Sequence, residues 1–314
     1  MSDARNRRPE EAPPLQECVD CLEPAEAFSI IGSEIRLTIL EELWQAESRP
    51  VSFSELRRRV GMSDSAQFNY HLDQLRGQFV RKTDSGYEFR QAGLTVVHAI
   101  LSGSFNENPS LEPFAVGDDC PHCGASLEAR YEDDIMHIEC TNSESRHVLS
   151  RHPFPPGGFN DRTRDEALAA YDQRVRHLLC LAVDGVCWTC NGTRSARIVE
   201  APEDSRLTVQ AELHCDQCRH TLRIPVGLVL LDDAATVTFF GDHGIDLNAR
   251  PHWTHEWAVS DVNTEVLQAD PYRVAISIEL EDESLRAILE PDLTVGQTER
   301  HSHDGAPDAG PAAE

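Results

Sequence analysis

The chain has 314 residues, with 28 basic and 54 acidic side chains and a formal net charge of -26 at pH 7. This length allows two domains with buried cores, and no apolar run approaches the length of a membrane span. The start lacks an apolar segment behind its arginines, so we expect no secretory signal and a cytoplasmic location. Lys82 is the only lysine, and an acidic, lysine-poor chain is typical of salt-accumulating halophiles, in archaea above all. An acidic, tail-rich eukaryotic protein is the alternative.

The chain starts with a segment that predicts no packed structure. Residues 1–23 are rich in Pro, Glu and Arg, which indicates a disordered tail. Cys18 and Cys21 have the spacing of metal ligands, but no second pair lies nearby, so we interpret them as an incidental pair of thiols. From Pro24 to Ala46, apolar residues recur with a helical period that is interrupted at Gly32 and Ser33. This segment predicts two short helices.

Two further helices, joined by a tight turn at Gly61, are predicted between Ser52 and Val80. The apolar residues fall on one face of each helix: Phe53, Leu56 and Val60, then Phe68, Leu72, Leu75 and Phe79. The opposite side of the second helix carries Ala66, Gln67, Tyr70 and Gln74, and Ser65 and Asn69 lie on its flank; most of these side chains are hydrogen-bonding or aromatic. Such side chains suit base edges in the major groove of DNA.

A short hairpin is predicted directly after this helix pair. Its strands run from Val80 to Lys82 and from Tyr87 to Phe89, around a turn at residues 84–86. A helix-turn-helix followed by such a hairpin is the winged-helix arrangement. Together with IIGSEIRLTILEEL at residues 30–43 and HLDQLR at residues 71–76, it resembles the ArsR-like winged-helix transcriptional regulators, here of haloarchaeal type.

The resemblance implies a DNA-binding domain over residues 24–104. The segment from Leu94 to Leu101 would then pack on the first helix or on a second subunit, so we expect a homodimer on double-stranded DNA; a role in the domain core alone is the alternative. The predicted DNA contacts are Gln67, Asn69, Tyr70 and Gln74 to bases and Ser65, Arg58, Arg76, Arg81 and Lys82 to phosphates. Asp73 lies on nearly the same face and opposes phosphate binding.

The acidity of the chain is unevenly distributed. Residues 24–103 contain nine basic and ten acidic side chains, a net charge of -1, so the rest of the chain carries -25. A surface that faces phosphates has to avoid negative charge, and the distribution therefore favours DNA binding by this domain. A winged helix that serves only for protein contact is the alternative.

The Gly, Pro, Ser and Asn content of residues 105–118 predicts a linker, and a second domain is expected at residues 119–296. It opens with Cys120 and Cys123, and 16 residues separate Cys123 from Cys140. This set predicts a zinc ribbon. Ser143 occupies the usual position of the fourth ligand, so we expect His147 to complete the site, rather than His137 within the strand. A degenerate ribbon without metal is the alternative.

A second cysteine set follows a helix predicted from Asp165 to Cys180. Two Cys-x2-Cys pairs, with 24 residues between them, provide Cys187, Cys190, Cys215 and Cys218. Strands are predicted between the pairs, as in a zinc ribbon, whereas a redox dithiol would open a helix. Four thiolates leave no open coordination position, so this zinc would be structural.

The remainder predicts fold but no chemistry. Residues 225–241 read as one apolar helix, three strands of an antiparallel sheet follow it, and residues 297–314 read as a disordered tail. Asp242, His243, His252 and His255 match no ligand spacing, and the tryptophans beside them favour a packed core. No phosphate loop, nucleophile elbow or catalytic carboxylate pair occurs in the sequence, so we expect no enzyme.

The sequence as a whole predicts an α+β protein. A winged helix-turn-helix domain would precede an α+β domain with zinc-ribbon-like hairpins, and the chain would act as a transcriptional regulator that occupies operator DNA. Two other functions remain open. In one, the cluster of Cys120, Cys123 and Cys140 binds metal exchangeably and senses it; in the other, the chain is a protein-interaction adaptor that binds no DNA.

Overall fold

The computed structural model describes residues 21–144, 147–203 and 205–302. They form two compact units, an N-terminal unit that ends at Leu101 and a C-terminal unit that begins at Ser102. Helices and antiparallel sheets build the chain, which confirms the α+β class. Within the described ranges, no helix has both the length and the apolar character that a membrane crossing requires.

The N-terminal unit contains the predicted helices, turn and hairpin in the predicted order. Its elements are α1 (Pro24–Ile31), α2 (Glu34–Trp44), α3 (Phe53–Val60), α4 (Ser65–Leu75), β1 (Val80–Thr83), β2 (Gly86–Phe89) and α5 (Gln91–Leu101). The apolar faces of these helices meet in one core, where Ile39, Leu56, Phe68 and Leu72 are fully buried.

Local sequence signals set the ends of α3 and α4. The hydroxyl of Ser52 accepts a hydrogen bond from the N–H of Glu55 (3.3 Å), and the carboxylate of Asp64 accepts two from the first turn of α4 (2.8 and 3.0 Å). Both are N-caps, which satisfy otherwise unpaired N–H groups. Gly61 ends α3 with a φ of 74°, a left-handed conformation that costs glycine little. The short turn therefore holds α3 and α4 close together.

The C-terminal unit contains three antiparallel sheets. The first is β3 (Phe114–Asp119), β4 (Ser126–Glu132), β5 (Ile135–Cys140) and β6 (Val148–Pro153), and α6 (Arg164–Val183) follows it. The second is β7 (Arg194–Glu200), β8 (Val209–Cys215) and β9 (Thr221–Ile224), followed by α7 (Ala234–Asp242) and α8 (Glu256–Val259). The third is β10 (Thr264–Ala269), β11 (Tyr272–Leu280), β12 (Glu283–Leu289) and β13 (Val295–Ser302). One apolar core joins all three sheets, with Tyr171, Phe239 and Trp253 among its fully buried side chains.

Three sequence predictions are wrong in detail. The linker at residues 105–118 overlaps β3, which pairs with β4. The apolar helix at residues 225–241 is instead a 3-10 turn at Val226–Leu230 followed by α7, because the carboxylate of Asp233 caps a new helix start. The tail predicted as disordered from residue 297 forms strand β13 up to Ser302, paired with β12 through its backbone.

The two ends of the chain lie largely outside the described residues. The predicted disorder of residues 1–20 and 303–314 falls there, as does Cys18. Cys21 is disulfide-bonded, so its interpretation as an incidental thiol is wrong.

Candidate metal centres and nucleic-acid surface

The second cysteine set comes together at one point. Cys187 and Cys190 lie between α6 and β7, Cys215 ends β8, and Cys218 lies in the turn before β9. Their four sulfur atoms lie within 4.8 Å of one another, with Sγ–Sγ distances of 3.7 Å (Cys187 to Cys218) and 3.5 Å (Cys190 to Cys215). Sulfurs at the corners of a tetrahedron around zinc would be about 3.8 Å apart, given a Zn–S distance of about 2.3 Å. The set is therefore spaced as ligands of one ion, and not as disulfides, whose sulfurs are about 2.05 Å apart.

One backbone pattern builds the three Cys-x2-Cys turns of the two clusters. The residue after the second cysteine, which is Gly124, Asn191 or Arg219, has a positive φ of 69°, 57° or 64°. Its N–H donates to the carbonyl of the first cysteine, at 2.8, 2.7 and 3.0 Å. The N–H of that first cysteine donates to the carbonyl five residues on. These tight loops bring the two sulfurs of each pair to the same site.

The first cluster is completed by a longer loop. The N–H of Cys140 donates to the carbonyl of His147 at 2.9 Å, seven residues on rather than five. Ser143 is consequently exposed, and the imidazole of His147 takes the fourth corner with Cys120, Cys123 and Cys140, all within 4.8 Å. His147 Nδ1 lies 3.5 Å from Cys120 Sγ, and the Cys123 and Cys140 sulfurs are 3.4 Å apart. These four residues can hold a metal ion.

The protonation of the second cluster favours a bound cation. Burial opposes ionisation of Cys187, but N–H groups of Cys190 and Thr189 and a hydrogen bond from Cys218 outweigh it and lower its pKa to about 6. Cys190 behaves oppositely: although the N–H of Gly192 lowers its pKa, burial and the neighbouring thiols raise it to about 12. Cys187 and Cys190 therefore differ in protonation in the metal-free cluster, and a positive charge would favour the thiolate form of both. Metal binding supplies that charge and displaces the remaining protons.

The other side of His147 faces a cation. Its Nε2 lies 2.8 Å from a guanidinium nitrogen of Arg206, and its ring lies 4.7 Å from that of His122. Burial lowers the pKa of His147, and the charges of His122 and Arg206 lower it further. The imidazole is therefore neutral at pH 7, which is the form that binds metals.

The predicted DNA-contacting residues of α4 are exposed. Ser65, Gln67, Asn69, Tyr70 and Gln74 are exposed on α4, and the ring of Tyr70 is 59 % exposed. Phe68, Leu72 and Leu75 are fully buried on the side of the helix opposite Gln67, Tyr70 and Gln74.

Carboxylates hold most of the predicted phosphate contacts. Arg58 makes two hydrogen bonds to Glu55 (2.9 and 2.6 Å), Arg76 makes one to Asp73 (2.6 Å) and Arg81 makes one to Glu88 (2.7 Å). Asp73 also accepts from Asn69, at 2.8 Å. Lys82 is exposed on β1, with no ion pair or side-chain hydrogen bond to any described residue. Among the predicted phosphate contacts, the three arginines thus lie in nearly neutral ion pairs, and Lys82 is a free cation within the described part of the chain.

A buried polar network escaped the sequence analysis. His252 Nδ1 and its backbone N–H donate to Asp172 (2.7 and 2.8 Å), and His252 Nε2 lies 2.9 Å from the hydroxyl of Ser150. The guanidinium of Arg176 donates to Asp172 at 2.9 Å. The order Ser-His-Asp is that of a hydrolase triad. Ser150 is only 4 % exposed, however, and its hydroxyl also binds Tyr171 (2.7 Å), so the network joins β6, α6 and residues 247–252.

The packed-core interpretation of the histidines holds for His252 and His255, which are buried. Asp242 instead lies at the surface, paired with Arg300 at 2.6 Å, and His243 Nδ1 lies 2.8 Å from the carbonyl of Phe239. The four residues therefore form no common site.

Two family models match the chain. A model described as a domain of unknown function (DUF7351) matches residues 117–295, and another so described (DUF7347) matches residues 24–100. No curated protein and no solved structure matches it.

Proposed function

The chain belongs to the DUF7351 family, and we propose that it is a DNA-binding transcriptional regulator with a winged helix and two structural zinc sites. In this proposal α4 enters the major groove, and the hairpin of β1 and β2 lies along the phosphate backbone as the wing. The protein works in the cytoplasm of a salt-accumulating halophile, on double-stranded DNA and as a homodimer.

The observation that carries this proposal is the exposed row on α4. Gln67, Tyr70 and Gln74 recur at intervals of three and four, so they follow one line along the helix. The ring of Tyr70 is 59 % exposed, so its apolar face and its hydroxyl are both available to a partner. Amide side chains that make paired hydrogen bonds to adenine are a common means of base recognition in the major groove.

Zinc is the metal that best suits both clusters. Thiolate and imidazole ligands in a tetrahedron are typical of structural zinc sites, and four such ligands leave no position for a substrate. The seven cysteines of the two clusters are among the eight cysteines between residues 120 and 218, and all eight are free thiols. We therefore propose one zinc ion in each cluster.

Selection from a random duplex library in concentrated KCl tests the DNA-binding proposal. We expect the wild-type chain to enrich one sequence, and a two-fold symmetric consensus would support the homodimer. The double variant Gln67→Ala/Tyr70→Ala should bind the enriched duplex at least tenfold more weakly, because each base contact contributes about 1–3 kcal/mol.

Gln91→Ala is the matched control, since Gln91 is an exposed glutamine of α5 in the same unit. It should bind like the wild type. If the wild-type chain enriches no sequence, or if the double variant binds as tightly as the wild type, DNA reading by α4 is wrong. In that case the protein-interaction adaptor becomes the better proposal.

The salt dependence of DNA binding should be shallow. Each neutralised phosphate makes the slope of log K against log salt more negative by roughly 0.9. Four cations that bind phosphates would therefore give a slope of about -3.6 per winged helix. When an arginine leaves Glu55, Asp73 or Glu88 to bind a phosphate, the carboxylate left behind takes up a cation from solution. This uptake cancels the release of a counterion from the phosphate. We therefore expect a slope closer to about -1, from Lys82.

The triple variant Glu55→Gln/Asp73→Asn/Glu88→Gln frees the three arginines. Its slope, measured by titration over KCl concentrations, should be clearly steeper than that of the wild type. Equal slopes for the two proteins would show that the ion pairs do not govern phosphate binding.

A further inference from the structure

Both ring nitrogens of His147 have a fixed neighbour in the structure. Nδ1 faces the first cluster, 3.5 Å from Cys120 Sγ, and Nε2 faces Arg206 Nη1 at 2.8 Å. A neutral imidazole has one N–H donor and one acceptor nitrogen, and a guanidinium only donates. Nε2 must therefore accept the hydrogen bond from Arg206, and the ring proton sits on Nδ1.

This arrangement conflicts with metal binding. A metal ion needs the lone pair of Nδ1, so the ring proton has to move to Nε2. Two N–H donors would then face each other over 2.8 Å, and one of them has to leave. Histidine ligands normally have the opposite surroundings, because their second N–H donates to a carboxylate or a carbonyl.

We infer that Arg206 competes with metal for His147, so that metal binding at the first cluster displaces Arg206. The inference rests on the proposed metal sites. The first cluster then binds zinc more weakly than the four-cysteine cluster, in which every ligand is a cysteine. Arg206 is exposed and lies between β7 and β8, so it can move without disturbing the core. Occupancy of the first cluster is thereby linked to the position of the loop at residues 205–208.

Electrostatic repulsion between the occupied cluster and Arg206 does not explain the displacement of Arg206. Three thiolates and a divalent ion together carry one negative charge, which would attract Arg206 rather than repel it. The conflict is confined to the hydrogen bond at Nε2. A substitution that turns residue 206 from a hydrogen-bond donor into an acceptor should therefore change the zinc affinity of the first cluster. The same change of charge at another residue should change that affinity less.

Zinc competition against a chelator of known affinity, on the purified full-length chain, tests the inference. The wild type should release zinc in two steps, and Cys123→Ser should lack the weaker one. In Arg206→Glu the carboxylate accepts from Nε2–H, so the weaker step should tighten by roughly tenfold or more, since such partners typically change metal affinity by 10–100-fold. Arg206→Gln, whose amide oxygen also accepts, should tighten it less.

Arg151→Glu is the control, because Arg151 is exposed on β6 and does not contact His147. This substitution changes the charge of the chain by the same amount as Arg206→Glu. It should alter neither step. If Arg206→Glu leaves the weaker step unchanged, or if Arg151→Glu tightens it equally, competition by Arg206 is wrong while the metal sites stand. A wild-type chain that binds no zinc would instead overturn the proposed sites themselves.

Discussion

Replacement of Cys215 by serine is expected to remove one zinc ion per chain and to unfold the sheet formed by β7, β8 and β9. Cys215 is fully buried and ends β8, and its sulfur belongs to the four-thiolate cluster. The cluster joins the loop before β7 to the turn between β8 and β9, so an ion bound there would close one end of this three-stranded sheet.

The expected effect is large because of the free energies involved. Structural zinc binding contributes about 10–16 kcal/mol in small zinc domains, while a whole domain is stable by about 5–15 kcal/mol. Losing one ligand weakens the site by only part of the binding free energy, but that part is comparable with the total stability. Elemental analysis after gel filtration measures the zinc content, and thermal unfolding measures the stability.

Cys180→Ser separates loss of the metal from loss of a thiol. Cys180 lies in α6, seven residues before Cys187, and belongs to neither cluster. The control should keep two zinc ions and a melting temperature close to that of the wild type. A Cys215→Ser protein with two tightly bound ions and unchanged melting would contradict the assignment of the cluster.

The residues that could hold a metal were predictable because the Cys-x2-Cys spacing is a short, recognisable sequence motif. A Cys-x2-Cys pair fits a tight turn, and the positive φ after the second cysteine at Gly124 and Asn191 is also a turn signal. His147 was predicted because Ser143 occupies the usual position of the fourth ligand and His137 lies within a strand. The longer loop after Cys140 is the physical reason why His147 reaches the cluster. The hydrogen bond from Arg206 was not predictable, because 59 residues separate it from His147.

Helices with a long apolar period were predicted, whereas the edge strands β3 and β13 were missed. Helices α2 to α5 each bury residues on one face, as the apolar period of three and four residues indicates. Strand β13 has side chains that are mostly exposed, so no apolar alternation marks it. The ion pairs of Arg58 and Arg76 have a sequence signal, because Glu55 and Asp73 lie three residues before these arginines. Side chains at this spacing are neighbours on a helix. The network around His252 needs three distant segments, which only the tertiary fold brings together.

Replacement of Asp172 by alanine should destabilise the C-terminal unit by about 3–5 kcal/mol, the usual effect of removing one partner of a buried ion pair. Burial alone would raise the pKa of Asp172, but the hydrogen bonds from His252 and the charge of Arg176 outweigh it and lower the pKa. The carboxylate is therefore ionised in the folded protein. Its removal leaves the guanidinium of Arg176, which is 2 % exposed, without its counterion.

The control and the double variant decide whether the ion pair is responsible. Asp165→Ala changes an exposed carboxylate in the first turn of α6 and should cost at most about 1 kcal/mol. In zinc-saturated protein, Arg176→Met should cost less in the Asp172→Ala background than alone, because replacing both ions with apolar groups can be nearly neutral. Chemical denaturation of the four proteins gives the coupling free energy. Additive losses would mean that His252 and Ser150, and not the ion pair with Arg176, account for the stability that Asp172 provides.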